Sequence, residues 1–208
     1  MNRTHRTERD RQREATRERL YDAALDVFRR DGVDRARVDD IARAAGVSRA
    51  TFYFHFPSKD DVLLRRLSVS QTHISAELDA LPSSATLREV LQRCAREIAT
   101  EWQDDPALLR EIGTVALKMT AQNLPEATHQ HPVQLALIPR FDVALERGEI
   151  GHLIPPELMT EFFLVNLFGA ALNWVGAPLA PLELILLSVV DFFLRAAGTD
   201  SLPVPSAR

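Results

Sequence analysis

The stretch VDDIARAAGVSRATFYFHFPSK, residues 38–59, restricts what this chain can fold into more than any other. Ile41, Ala42 and Ala45 recur at helical steps, Gly46 interrupts them, and a second short apolar-periodic piece opens at Ser48 and runs to Phe56. Two helices this close in sequence need a tight turn. Gly46 supplies the left-handed backbone that such a turn requires, and the Ser48 hydroxyl is placed to cap the helix that follows. Ala42 is small enough to sit where the two helices cross, with Ile41, Val47 and Phe52 as their shared core.

The rest of the chain is also helical in period. Leu20, Ala24, Val27 and Phe28 mark a first helix from about Thr16 to Arg30, ended by Asp31-Gly32. Ser58, with Asp61 as its reciprocal partner, starts a long helix whose inward stripe is Leu63, Leu67, Ser70, Ile74, Leu78 and Leu81, and Pro82-Ser83-Ser84 stops it. Leu87, Leu91, Cys94 and Ile98 share one face, and Leu108, Ile112, Val115 and Met119 another, with Asp105-Pro106 between the two helices. Pro132 and Pro139 interrupt residues 127–147, leaving Ile138, Phe141 and Leu145 as the clear face and predicting a kink or short break at Pro139. Two helices over about 156–175 and 181–196 complete the set. The pattern predicts an all-α fold of about nine helices, with no alternating strands and no internal repeat.

Composition narrows the classes. The 208 residues are 46% apolar and 26% charged, which excludes wholesale disorder and collagen-like repeats. Cys94 is the single cysteine, so no internal disulfide and no cysteine-rich zinc module can form; it reads as a buried structural thiol in a reducing, cytoplasmic protein. The arginine-rich start lacks the apolar stretch of an export signal. Residues 162–182 carry no charge, but Pro178 and Pro181 argue for two buried helices around a turn rather than a membrane span. His129 and His131, two residues apart, point to different faces of a helix and have no nearby Cys or paired carboxylate to complete a metal site, so they read as polar loop. Without a Gly-rich phosphate loop, a nucleophile elbow or a Glu-His metal helix, the chain reads as a non-enzyme with no cofactor and no metal.

Charge points to a partner. Residues 1–66 carry 16 Lys and Arg against 12 Asp and Glu, whereas residues 67–208 carry 9 against 17. A basic end on an acidic body suits a polyanion bound by the first part alone. The two-helix unit around Gly46 has helix-turn-helix logic, in which the second helix enters the major groove of DNA and presents short, polar or cationic groups. Ser48, Arg49, Thr51, Tyr53, His55 and Lys59 are such groups.

Phe28 and Gly32, Ile41-Ala42, Ala45-Gly46-Val47-Ser48, Thr51-Phe52-Tyr53, His55-Phe56 and Ser58-Lys59 together resemble the DNA-binding segment of the tetracycline repressor-like (TetR) family of bacterial transcription regulators. The likeness covers about the first third of the chain. It implies that Tyr53, His55 and Lys59 hold phosphates and that Arg49 and Thr51 read bases. Arg37 stands where the family usually has Thr, and Ala50 where it often has Gly, so a longer cation and an added methyl face the duplex. Arg3, Arg6, Arg9, Arg11 and Arg13 form a basic arm suited to a minor groove.

The resemblance also implies a body with two tasks. Phe162, Phe168, Leu172 and Val175, with Leu184, Leu187, Val190 and Phe193, would form a four-helix homodimer interface that sets two recognition helices one DNA turn apart on a palindromic operator. Trp102, Met119, Asn123, Phe141, Phe163 and Asn166 would line a pocket for a small-molecule effector. The expected layout is a flexible arm over 1–15, a DNA-binding domain over 16–66 with its helix-turn-helix at about 38–57, a ligand-binding and dimerisation domain over 67–200, and a tail over 201–208. The function this implies is an operator-bound repressor released by its effector. The alternatives are an effector-independent regulator or activator and a ligand-binding helical protein with degenerate DNA binding.

Overall fold

The computed structural model describes residues 8–122, 131–151 and 154–198, with the side chains of 119–122 left aside. Arg3, Arg6, Asn123, His129, the Met119 side chain and the tail over 201–208 therefore lie outside the described residues. Among the described residues there are nine helices and no strand. They are α1 (Glu8–Asp31), α2 (Val38–Ala44), α3 (Arg49–His55), α4 (Lys59–Asp79), α5 (Leu87–Trp102), α6 (Pro106–Gln122), α7 (Pro132–Glu146), α8 (Pro156–Gly176) and α9 (Leu182–Ala196).

The chain forms two compact units. The first comprises Met1–Leu67 and Ala107–Met119, so it holds α1 to α3, the start of α4 and most of α6. Its centre is built from Leu20, Ala24, Phe28, Ile41, Phe52, Phe56, Val62 and Leu63, all buried, with α2 packed between α1 and α3. The hinge forms as the glycine predicts. Gly46 takes φ +68°, and the Val47 amide donates back to the Ala42 carbonyl at 2.9 Å, closing the end of α2. Helix α1 starts eight residues before the predicted Thr16, because the charged run from Glu8 continues the same helix outward. Arg9, Arg11 and Arg13 are thus helical rather than parts of an extended arm.

The second unit comprises Ser68–Pro106 and Thr120–Arg208. Helix α5 packs on α9 and α7, and α8 packs on both α7 and α9. Thr86 and Glu89 form a reciprocal capping box that starts α5. Pro139 does not break α7, which is continuous from Pro132 to Glu146. The Leu135 carbonyl loses its amide donor there, but Leu135 and Pro139 are both solvent-exposed, where water can replace it. Two arginines tie α7 to the backbone that leaves α4. Arg140 donates to the carbonyls of Leu78, Leu81 and Pro82 at 3.1, 2.8 and 2.9 Å, and Arg147 to those of Ser83 and Ala85 at 2.8 and 3.3 Å. Helix α8 is long and apolar enough to cross a membrane by length and composition, yet Met159, Phe163, Leu167, Ala171 and Trp174 are buried in the protein. The Trp174 indole N–H donates to the Ala180 carbonyl at 2.8 Å across the turn to α9.

Candidate nucleic-acid interface

The recognition helix is α3. Its interior side chain, Phe52, is fully buried and meets Tyr53 edge-on at 5.5 Å and Phe56 at 5.9 Å, which locks the rotation of the helix about its axis. The opposite face is then open by geometry. Arg49, Ala50, Tyr53 and Phe54 are exposed, Phe54 at 65%. The Ser48 hydroxyl accepts the Thr51 amide at 3.1 Å and lies 2.8 Å from the Thr51 hydroxyl, so both side chains serve the first turn of α3. Arg37 is exposed at the start of α2, where its side chain makes no capping bond.

Arg49 is held in place rather than loose. Its guanidinium lies 3.2 Å from the Asp39 carboxylate, and it stacks 5.6 Å from the Tyr53 ring centroid and donates to the Tyr53 hydroxyl at 3.5 Å. The Tyr53 hydroxyl, then Asp39, raise the Arg49 pKa, so the cation is firmly protonated. Before Arg49 can read a base edge it must exchange Asp39 for that acceptor, which the periodicity of the sequence gives no reason to expect.

His55 is half-buried. Burial first, then the charges of Arg13 and Arg17, lower its pKa from 6.5, while Glu14 raises it less. The ring is therefore neutral at neutral pH. Lys59, assigned to a phosphate by the resemblance, is engaged in the structure. Its ammonium donates to the carbonyls of Val33, Asp34 and Ala36 at 2.6, 3.3 and 3.2 Å, tying the α1–α2 connection to the start of α4. Ser58 and Asp61 form the predicted reciprocal pair just before it. Arg17 and Phe54 were absent from the expected DNA contacts, and Arg13 was expected only as part of a minor-groove arm. A Phe on the solvent side of a recognition helix was the visible signal.

Four of the six residues expected to line a pocket have described side chains, all in the second unit: Trp102, Phe141, Phe163 and Asn166. Phe141 and Phe163 are fully buried and close edge-on against Phe193, at 6.0 and 5.3 Å. Trp102 is buried, and Asn166 is exposed, its amide donating to the Phe162 carbonyl at 2.7 Å. A cleft of about 180 Å³ lies elsewhere, lined among others by Leu87, Val90, Pro139, Arg140, Val143 and Glu149. Of the residues chosen for the dimer interface, Phe162 and Leu184 are exposed, Phe168, Leu172, Leu187 and Phe193 are half-buried, and Val175 and Val190 are buried within the subunit. The outward faces of α8 and α9 instead add Val165 and Phe192, the latter 74% exposed. Extending the three- and four-residue steps from Phe162 and Leu184 would have found both.

The glycine hinge, the capped recognition helix and its open face carrying Arg49 are those of a helix-turn-helix DNA-binding transcription regulator. Residues 20–65 match the family model described as bacterial regulatory proteins, tetR family. The chain is 28% identical over 174 residues to the HTH-type transcriptional regulator AcrR of Shigella flexneri, covering 78% of this chain and 80% of that one. It is 47% identical over 134 residues to the HTH-type transcriptional regulator EthR of Mycobacterium tuberculosis, a segment spanning 62% of each. The crystal structure of Thermus thermophilus FadR, a TetR family transcriptional repressor in complex with lauroyl-CoA, matches with a TM-score of 0.74 at 25% identity, over 92% of this chain and all of that one. By sequence over residues 20–65, and by fold over most of its length, the chain is similar to transcriptional regulators of the TetR family.

Proposed function

We propose that this protein is a homodimeric repressor that occupies a palindromic operator and leaves it when a small, largely apolar effector binds the second unit. The observation that supports the DNA half is the uncovered face of α3; in this reading Arg49, Ala50 and Thr51 meet bases, and Arg37, Tyr53 and His55 meet the backbone. Lys59 contributes by fixing α4 against the α1–α2 connection. Dimerisation is supported by the exposed apolar row Phe162 and Val165 on α8 with Leu184 and Phe192 on α9, which a second copy would cover by a two-fold operation.

The effector half rests on kinship with FadR, which was solved with an acyl-CoA bound. A ligand entering among α5, α7 and α8 has to separate Phe141 and Phe163 from Phe193, and only a ligand that binds this opened body more tightly than the closed one shifts the equilibrium. The close packing of those rings favours one alternative, a regulator that works without an effector. Titration of a duplex carrying the region upstream of its own gene, with and without lauroyl-CoA, decides between them. Release of the DNA supports the repressor reading, and unchanged affinity across a series of acyl-CoA chain lengths removes that ligand class. Arg49→Ala should relax base preference at one position and leave affinity for unrelated DNA nearly intact. Phe192→Glu should give monomers in sedimentation and lose the two-site footprint; a dimer that persists would move the interface elsewhere.

A further inference from the structure

Helix α1 and the recognition helix enclose a cleft of about 470 Å³, lined by Asp10, Arg13, Glu14, Arg17, Phe54 and His55. Two guanidinium groups sit one helical turn apart in it, and each rests on an aromatic ring. Arg13 lies 4.9 Å from the Phe54 centroid and Arg17 lies 5.5 Å from that of Phe56. Among the described residues neither is ion-paired with a carboxylate, and the Arg17 Nε is buried without a hydrogen-bond partner. Glu14 shares the lining but lies 3.4 Å from Arg65, which also binds Glu18. At His55 the charges of Arg13 and Arg17 each outweigh that of Glu14, and Asp10 is the other acid of the lining. Flat cations held by stacking and left without acid partners are pre-oriented for a bidentate anion.

We propose that Arg13 and Arg17, seated on Phe54 and Phe56 beside His55, form a phosphodiester seat that takes one or two backbone phosphates flanking the groove entered by α3. The inference deepens the DNA-binding reading and rests on it. It also supplies what Lys59 does not, since that ammonium is occupied by three backbone carbonyls. The Phe54 ring has a role in this arrangement that its place on a solvent-facing position otherwise lacks: it keeps the Arg13 plane turned toward the duplex.

The test uses full-length protein and a random-sequence 30-base-pair duplex as the probe, since a phosphate seat needs no operator. Affinity is measured by anisotropy over a potassium chloride series. Arg13→Gln with Arg17→Gln should lower the magnitude of the salt slope by about 0.9 per phosphate lost, and weaken binding roughly fivefold per contact at 0.15 M salt. The same pair changed to Lys should restore the slope while leaving affinity below wild type, because charge returns without the planar fork. Melting curves establish that each variant is folded, and Arg13→Gln alone, on the exposed ring, serves if the double variant unfolds. In wild type, duplex addition should raise the His55 pKa followed by proton NMR. An unchanged slope in folded variants, or an unmoved His55, overturns the seat while leaving the DNA-binding reading intact; a wild-type protein that binds no duplex overturns both.

Discussion

The two units use their arginines in opposite ways. In the first, Arg13, Arg17 and Arg49 lie over aromatic rings at or near an open surface, where an incoming anion can reach them. In the second, Arg140 and Arg147 are turned onto backbone carbonyls, and Arg93 pairs with Glu77 and Glu97, so their charge is answered within the protein. Equal residue types are thus left open to a partner in one region and committed to the fold in the other. Arg13 and Arg17 have no acid partner among the described residues, whereas Arg49 already faces Asp39, and Arg65 in the same unit is paired like the arginines of the second.

The largest test of that division exchanges two fully buried rings. Phe52→Ala and Phe163→Ala should each cost about 3–5 kcal/mol, read by chemical denaturation. Phe52→Ala should also abolish duplex binding, whereas Phe163→Ala, assayed where it remains folded, should keep the wild-type salt slope. If both lose binding alike, the units are not separable in function. Next in size is Lys59→Met, which removes a charged donor from three carbonyls and should cost about 1.5–3 kcal/mol with little change in salt slope. A reduced slope with unchanged stability would instead make Lys59 a phosphate ligand.

Smaller again are the helix caps. Ser48→Ala and Thr86→Ala should each cost about 1 kcal/mol in a denaturant titration, but only Ser48→Ala should weaken DNA binding, because α3 frays at its first turn. Acidity acts through two titrating groups, one below pH 6.5 and one above pH 9. The lowered His55 pKa means that the unfolded chain takes up the proton first, so stability falls as pH drops below 6.5, and His55→Gln removes that dependence. Cys94, with burial pushing its thiol up to about 12 from 9.0, favours the protonated form in the folded state. Stability is then lost as pH rises above 9, and Cys94→Ala flattens that arm.

Legibility followed the range of the interactions. Gly46, Ser48 and the Ser58–Asp61 pair act within three or four residues, and the hinge, cap and helix start all form where the sequence puts them. The same local signal was present in Thr86 and Glu89 and was passed over. Lys59 reaches back across more than twenty residues to carbonyls, a partner that no side-chain pattern announces. Helix α8 shows the other limit. It is apolar nearly all round, so periodicity could not separate the buried Val175 from the exposed Val165, and the orientation comes from α7 and α9 packing against it. Of the kink or short break expected at Pro139, the break does not occur, because the carbonyl that loses its donor belongs to a solvent-facing residue.

The arginines of α7 carry one more implication. Every acceptor they use between Leu78 and Ala85 is a peptide oxygen, present whatever amino acid stands there. Apart from the buried Leu78, that octet can be rewritten letter by letter while the fastening holds, but an inserted or deleted residue would shift the oxygens beyond it out of reach. In this connection it is length, rather than spelling, that descent has to preserve.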